Sequence, residues 1–218
     1  MYVNRGPIRV NLDSRFTRVF NRNLFHGDES VSGVGSNLSQ TRELINQMPL
    51  VLQNLEVETF LDIPCGDFNW MSQIKISKIK YTGADIVAPL VEQLKIKFAS
   101  PRIDFINLNL VREIPKCFDV IFSRDLLVHL NHKDALKAIR NVIASNSKYF
   151  FTTTFPLLKV NRNLPIFTRE IAWRPLNLEL APFRFPPPML LLNEKCSESG
   201  GQFADKSIGV WKISDLTH

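Results

Sequence analysis

Glycine is scarce in this chain, at 9 of 218 residues, and cysteine scarcer still, at 3. Cys65, Cys117 and Cys196 lie far apart with no CxxC and no Cys/His cluster, which excludes a disulfide framework and a zinc site and predicts reduced, partly buried thiols. No stretch approaches the roughly 18 uncharged apolar residues that cross a bilayer. The start, Met1-Tyr2-Val3-Asn4-Arg5-Gly6-Pro7, has no apolar segment that an export machinery reads, so a cytoplasmic protein without a membrane span is expected. Concentrated charge is also missing. The net charge of +6 invites a nucleic-acid reading, yet basic and acidic residues number 6 and 6 over 1–58, 13 and 9 over 59–150, and 8 and 6 over 151–218. The densest basic run, Lys75 to Lys80, interleaves its three lysines with apolar residues. A phosphate-backbone binder gathers its cations on one face, so this distribution argues against nucleic acid as the substrate.

What is present is ordinary for a globular chain: 44% hydrophobic, 10% aromatic and 22% charged residues. Disorder, collagen and coiled coil are excluded, and the length suits one domain. Short apolar runs alternate with helical patterns through the middle of the chain, which predicts a parallel sheet with helices on both faces. Residues 59–63, 79–86, 103–108, 118–123 and 148–154 read as strands. Leu90, Val91, Leu94 and Phe98 recur at helical spacing after Pro89, and Asn131-x-x-Asp134 resembles a capping box before Leu136, Ile139, Val142 and Ile143.

Three regions follow from this pattern. Residues 1–58 hold one helical pattern (Leu44, Ile45, Met48, Leu52, Leu55, with Pro49 as a kink) behind the loop Ser30-Val31-Ser32-Gly33-Val34-Gly35-Ser36, and read as an N-terminal cap. Residues 59–155 are the ligand-binding core. Residues 156–218 begin with a segment carrying seven of the 13 prolines between Pro156 and Pro188, too long for an idle connection, so a lid or acceptor-binding loop is expected. Two further strands, 189–194 and 207–213, follow it and are expected to be antiparallel.

Ligands of open parallel sheets settle beyond the carboxyl ends of the strands. Asp62 inside strand one, Gly66 in the turn after it and Asp85 at the end of strand two suit an adenosine-bearing ligand, with Asp85 accepting the ribose hydroxyls. Each has a plainer reading alone: Asp62 capping a backbone, Gly66 only turning the chain, Asp85 opening a helix. Jointly, in this strand context, they point to a cofactor site. There is no GxGxxG after a strand and no GxxxxGK[ST], so a dinucleotide pyrophosphate or a triphosphate lacks its usual cradle. S-adenosylmethionine carries no phosphate and fits a site that keeps the acids with little glycine.

Phe60-Leu61-Asp62-Ile63-Pro64-Cys65-Gly66-Asp67-Phe68-Asn69-Trp70-Met71 and Tyr81-Thr82-Gly83-Ala84-Asp85-Ile86 resemble the first two motifs of class I S-adenosylmethionine-dependent methyltransferases. They are similar to a bacterial and viral branch whose first motif reads D-x-P-C-G-D-x-x-W-M. The loop from Glu29 to Ser36, the run Ser123-Arg124-Asp125-Leu126-Leu127-Val128-His129-Leu130 and the stretch Trp173-Arg174-Pro175-Leu176-Asn177-Leu178 extend the resemblance over nearly the whole chain. It implies a Rossmann-like seven-stranded sheet of order 3-2-1-4-5-7-6 with only strand seven antiparallel. It also implies S-adenosylmethionine as cofactor, with Asp62, Pro64, Cys65, Gly66 and Asp67 at its methionine end. By the same resemblance Asp85 holds the ribose, with Ile86 also at the cofactor, Leu108 and Asn109 flank the adenine, and Ser123, Arg124 and Asp125 lie beneath the sulfonium. Pro64 and Phe68 stand where typical members have glycine, and Asn109 where an acid is common. Pro64 removes an N–H donor, so the cofactor carboxylate is expected to be held differently here.

A hydroxyl acceptor benefits from a base, and His129, a few residues past strand four, is the first candidate, unless it is only a packed or solvated helix-face histidine. Asp125 is either a rival base or an orienting partner for His129, and Arg124 either holds an anion or pairs with Asp125. Acceptor contacts are expected from Trp173, Arg174 and Asn177, with Arg174 pairing Glu179 as the alternative, and from Ser32 and His26, the latter otherwise an exposed loop residue. No metal is expected. The run Ser123-Arg124-Asp125-Leu126 lacks the prolines of amino-methylating nucleic-acid enzymes, which argues against an exocyclic amine acceptor. The branch's association with glycosyltransferases implies a sugar hydroxyl on a glycan or small molecule, a possible glycosyltransferase partner, and O-methylation. A non-catalytic scaffold of this fold, or a methyltransferase acting on RNA or protein, are the alternatives.

Overall fold

The structure, a computed structural model, describes residues 11–76, 78–164 and 172–216. Seven strands form one sheet: β1 (Thr59–Asp62), β2 (Lys80–Asp85), β3 (Ile103–Asn107), β4 (Val120–Ser123), β5 (Tyr149–Thr154), β6 (Leu190–Asn193) and β7 (Ser207–Lys212). Their order is β3-β2-β1-β4-β5-β7-β6, and β7 runs antiparallel to both its neighbours while the other pairings are parallel. This is the expected Rossmann-like sheet.

Adjacent residues of the central strands serve opposite faces, as the period of two demands. Phe60, Phe122 and Phe151 face a core completed by α2 (Leu38–Asn54) and α3 (Ala88–Phe98), through Leu44, Met48, Leu52, Leu90, Val91 and Leu94. Leu61, Ile121 and Phe150 face a second core under α4 (His132–Ala144), with Ala135, Ala138, Ile139 and Val142. The α4 cap forms as its sequence predicts, because Asn131 Oδ1 accepts the Asp134 N–H at 3.0 Å and its Nδ2 donates to Asp134 Oδ2 at 2.8 Å. Helix α2 continues across Pro49, so the expected kink does not end it.

Two expectations need correction. The first 58 residues hold a second helix, α1 (Leu12–Asn21), opened by Asn11, whose side chain accepts from the Asp13 N–H. Leu12, Phe16, Val19 and Phe20 stand at i, i+4, i+7 and i+8, a helical stripe masked by five intervening polar residues, Arg15 and Arg18 among them. The proline-rich segment is packed rather than free. Leu176, Leu178 and Phe183 are fully buried in the second core, the Phe155 N–H donates to Leu176 O at 2.8 Å, and Trp211 Nε1 donates to Pro186 O at 2.7 Å. Residues 165–171 of that segment lie outside the described residues.

Candidate active site

At the carboxyl ends of β1, β2 and β4 lies a cavity of about 500 Å³. Its floor is built by the turn after β1 (Asp62, Ile63, Pro64, Cys65, Asp67), by Asp85, Ile86 and Val87, and by Leu108 and Asn109 after β3. The far end holds Arg124, Asp125 and His129 after β4, with Trp173, Phe203 and Lys206. The apolar face of α1, together with Phe25 and the loop Val31 to Ser36, closes the remaining side.

The turn after β1 spends its donors on the protein itself. Ile63 donates its N–H to Phe122 O, Cys65 to Ala84 O, Gly66 to Asp85 Oδ2, Asp67 to Ser32 Oγ and Phe68 to Cys65 O, while Pro64 has none. A nest of free N–H groups for a phosphate is therefore absent from residues 63–68, the structural counterpart of the missing glycine fingerprint. Gly66 is needed for two reasons: its φ is +53°, and a Cβ there would run into the Ser32 side chain. Gly66→Ala should therefore push the Ser32 loop off the floor and cost about 1–3 kcal/mol of stability, read as a lower urea midpoint; an unchanged midpoint would refute this close packing.

Asp67 acts as a clamp on that loop. Its Oδ1 accepts from Ser30 Oγ at 3.0 Å and its Oδ2 from the Val31 N–H at 2.9 Å, so the carboxylate joins floor to cover. Asn109 does the same after β3, where Nδ2 donates to Asp13 Oδ1 of α1 at 3.2 Å and Oδ1 accepts the Val111 N–H at 3.0 Å.

Two acids on the floor are buried without a cation bonded to them. Asp62 accepts the Tyr81 hydroxyl at 2.7 Å, and burial pushes its carboxyl up to about 8. Asp85 accepts the Val87 N–H at 3.0 Å on Oδ1 and the Gly66 N–H at 3.2 Å on Oδ2, and burial pushes it up to about 6 despite those bonds. Asp85 lines the cavity and is not the cap of α3, whose N-cap is Val87. The floor offers hydrogen-bond acceptors and latent negative charge, which fits a ligand bearing a ribose diol and an ammonium and repels a phosphate.

At the other end the buried charges are paired. Arg124 Nη2 meets Glu194 Oε2 at 2.7 Å and donates to Gly35 O at 2.8 Å, and its Nη1 lies 3.4 Å from Asp125 Oδ2. Lys206 Nζ donates to the same Asp125 oxygen at 2.6 Å and stands 3.7 Å from Glu194. Burial alone would raise the Asp125 carboxyl, but Lys206 and Arg124 outweigh it and hold the group well below the usual carboxylate range. Asp125 is therefore a poor base, and Arg124 is committed to Glu194 and Asp125 rather than free for a ligand anion.

His129 is the better base. Its Nδ1 lies 2.9 Å from Ala172 O, and because a carbonyl only accepts, Nδ1 carries the proton and Nε2 the lone pair. Burial lowers its pKa, so the ring is neutral at pH 7. Phe25 and Phe16 flank it with centroids at 5.5 and 6.4 Å.

The expected residues sort as follows. Ser32, Asp62, Pro64, Cys65, Asp67, Asp85, Ile86, Leu108, Asn109, Arg124, Asp125, His129 and Trp173 all line the cavity, and Gly66 shapes its floor. Ser123 is fully buried in β4 and does not line it. His26 is exposed and outside it. Arg174 and Asn177, expected to touch an acceptor, are buried away from it. Arg174 donates to the carbonyls of Arg162, Leu127, Val128 and Leu130, not to Glu179, and Asn177 Nδ2 donates to those of Pro156 and Leu158. The sequence reading missed the α1 stripe, Glu194 and Lys206. The stripe was legible in its spacing; the pairing of Lys206 with Asp125 spans 81 positions and carries no local signal.

Residues 60–146 match the profile of a family described as a methyltransferase domain. No curated protein matches the chain. Among solved structures, human N-acetylserotonin methyltransferase with S-adenosylmethionine superposes with a TM-score of 0.60 at 11% identity, over 93% of this chain and 60% of that one. PigF with S-adenosylhomocysteine gives 0.56 at 15% identity, over 79% and 55%. The N-methyltransferase NodS from Bradyrhizobium japonicum, with S-adenosylhomocysteine, gives 0.50 at 16%, over 63% and 73%. The chain thus spans less than two thirds of the first two proteins, and at these identities the likeness is one of fold. The matched segment contains the floor of the cavity, from the Asp62 turn through Asp85 to Leu108, and His129 of its far end. Residues 60–146 thus resemble a methyltransferase domain in sequence, and the sheet that holds them resembles those of methyltransferases in fold.

Proposed function

We propose that this protein transfers a methyl group to a hydroxyl of an uncharged acceptor, a sugar on a glycan or a small molecule. The observation that carries the reading is His129, whose unprotonated Nε2 belongs to a neutral ring lining the cavity opposite the acidic floor. Asp62, Cys65, Asp67, Asp85, Ile86, Leu108 and Asn109 would hold S-adenosylmethionine, with Asp85 accepting from the ribose. When bound, that cofactor supplies an electrophilic methyl on a sulfonium. His129 Nε2 takes the acceptor's hydroxyl proton, which lets the oxygen act as a nucleophile. The α1 stripe, Phe25 and the Val31 to Ser36 loop keep water from the reacting centre.

Two features support an uncharged acceptor. On the far wall Arg124 and Lys206 are paired with Asp125 and Glu194 and so are not free for an anionic acceptor, while Glu198, also on the lining, adds a carboxylate. Beside Cys196, Glu198 and Ser199 the surface is aromatic: Trp173 is 37% exposed and packs edge-on at 4.8 Å against Phe203, leaving a face for a sugar ring or other apolar ring. Among the described residues, no cluster of three metal-ligating side chains is present. A glycosyltransferase partner would be consistent with a glycan acceptor. Incubation with radiolabelled S-adenosylmethionine and a panel of nucleotide sugars, oligosaccharides, peptides and RNA tests the class; label in a hydroxylated sugar supports it, and label in RNA alone sinks it.

The floor makes a separate prediction about pH. Between about 3.8 and their raised values, Asp62 and Asp85 keep protons in the folded protein that the unfolded chain has released, so folded stability falls as pH rises through that window and levels off above about 8. A ligand that satisfies both carboxylates reverses this loss. The melting-temperature gain on adding S-adenosylhomocysteine should therefore be larger at pH 8 than at pH 5.5, and an equal gain at both would contradict the acidic floor as its binding site.

A further inference from the structure

Arg174 is among the most committed side chains in the molecule, yet among the described residues it has no anionic partner. It is 7% exposed, and burial without a carboxylate lowers its pKa to about 10. Its bonds converge on one short turn. Nη1 donates to Leu127 O and Val128 O, both at 2.9 Å, Nη2 to Leu130 O at 2.6 Å, and its own N–H to Val128 O at 3.1 Å. Nε reaches Arg162 O at 2.8 Å and draws in a third segment. The turn it grips, Leu127–His129, carries His129, and the carbonyl that fixes the His129 tautomer belongs to Ala172, two residues before Arg174.

We infer that Arg174 is a positioning residue for His129: by lacing the Leu127 to Leu130 carbonyls to the Ala172 to Arg174 segment, it holds the imidazole against Ala172 O with Nε2 turned to the acceptor. The inference rests on the reading of His129 as proton acceptor. A guanidinium presents five donors in a flat fork and spans three carbonyls at once, whereas a lysine ammonium is a point donor and cannot. The charge alone is not the device. The charged groups around the imidazole are Asp125 and Lys206 across the cavity and Arg15 on α1, with Phe16 and Phe25 on its faces; Arg174 meets backbone oxygens instead.

Arg174→Lys tests this. With four histidines in the chain, the His129 signal in protein labelled at histidine nitrogen is assigned by its loss in His129→Ala. The parent should show a single Nδ1–H tautomer titrating below the ordinary histidine range. Arg174→Lys should show a tautomer mixture titrating nearer that range, while circular dichroism and S-adenosylhomocysteine affinity stay at parental values. An Nε2–H tautomer in the parent overturns the inference without any variant, and so does an unchanged tautomer in a folded Arg174→Lys. With whichever acceptor takes label, kcat should fall about 10- to 100-fold at unchanged cofactor KM, and the acid limb of the kcat profile should move up with the His129 titration. In a His129→Ala background the lysine substitution should cost nothing further; an equal loss there assigns Arg174 a general structural role and overturns the inference. If His129→Ala turns over like the parent, the reading of the base fails, and the nitrogen spectra still decide whether Arg174 sets the ring.

Discussion

Replacing His129 with alanine is expected to lower turnover by about 100- to 10,000-fold, the range that one well-placed general base contributes, while leaving S-adenosylmethionine affinity within about twofold of the parent. The argument is local. His129 carries the one neutral imidazole on the described cavity wall, and its neighbour Asp125, pinned by Lys206 and Arg124, is too weakly basic to replace it. The ring lies on the far side of the cavity from the acidic floor, so its removal leaves the Asp62 and Asp85 bonds intact. Calorimetry with S-adenosylhomocysteine and single-turnover methylation separate the two quantities. Parental turnover would move the proton to solvent and the acceptor to one that needs no base.

Replacing Asp85 with alanine should act in the opposite sense, weakening cofactor binding by about 100-fold or more, since each hydrogen bond from a hydroxyl to a charged acceptor is worth about 1.5–3 kcal/mol and a diol makes two. The carboxylate also receives the Gly66 and Val87 N–H groups, so part of the loss would come from a relaxed turn. Asp85→Asn keeps one acceptor oxygen and should fall between parent and alanine variant. Heat of binding indistinguishable from the parent in the alanine variant would leave the fold without its cofactor role and favour a scaffold.

The sheet was legible because its strands are short apolar runs closed by turn residues. Thr59 to Ile63 before Pro64-Cys65-Gly66 and Lys148 to Thr154 before Phe155 need only local chemistry to be recognised, and the strand order came from the resemblance that the Asp62 and Asp85 motifs carry. The floor of the site was legible for the same reason. The far wall was not. Lys206 and Glu194 read as surface charges in a hairpin until the sheet places them against Arg124 and Asp125. Arg174 and Asn177 suited an acceptor loop by residue type, yet both spend their donors on backbone carbonyls, because a segment rich in proline lacks a regular ladder and leaves oxygens that side chains must satisfy. Helix α1 was hidden by the arginines set among its apolar positions.

The buried quartet of Arg124, Asp125, Glu194 and Lys206 also fixes an order of events during synthesis. Its members are 70 and 81 positions apart, so the half of the cavity that carries the base and acceptor wall cannot close until Lys206 has left the ribosome. Until then Arg124 has Gly35 O and Asp125 as partners but no second carboxylate, and a nascent chain that has already paired β1, β2, β3 and β4 holds the acidic floor with an incomplete opposing wall. If His129 is the base, turnover is thereby tied to completion of the final hairpin.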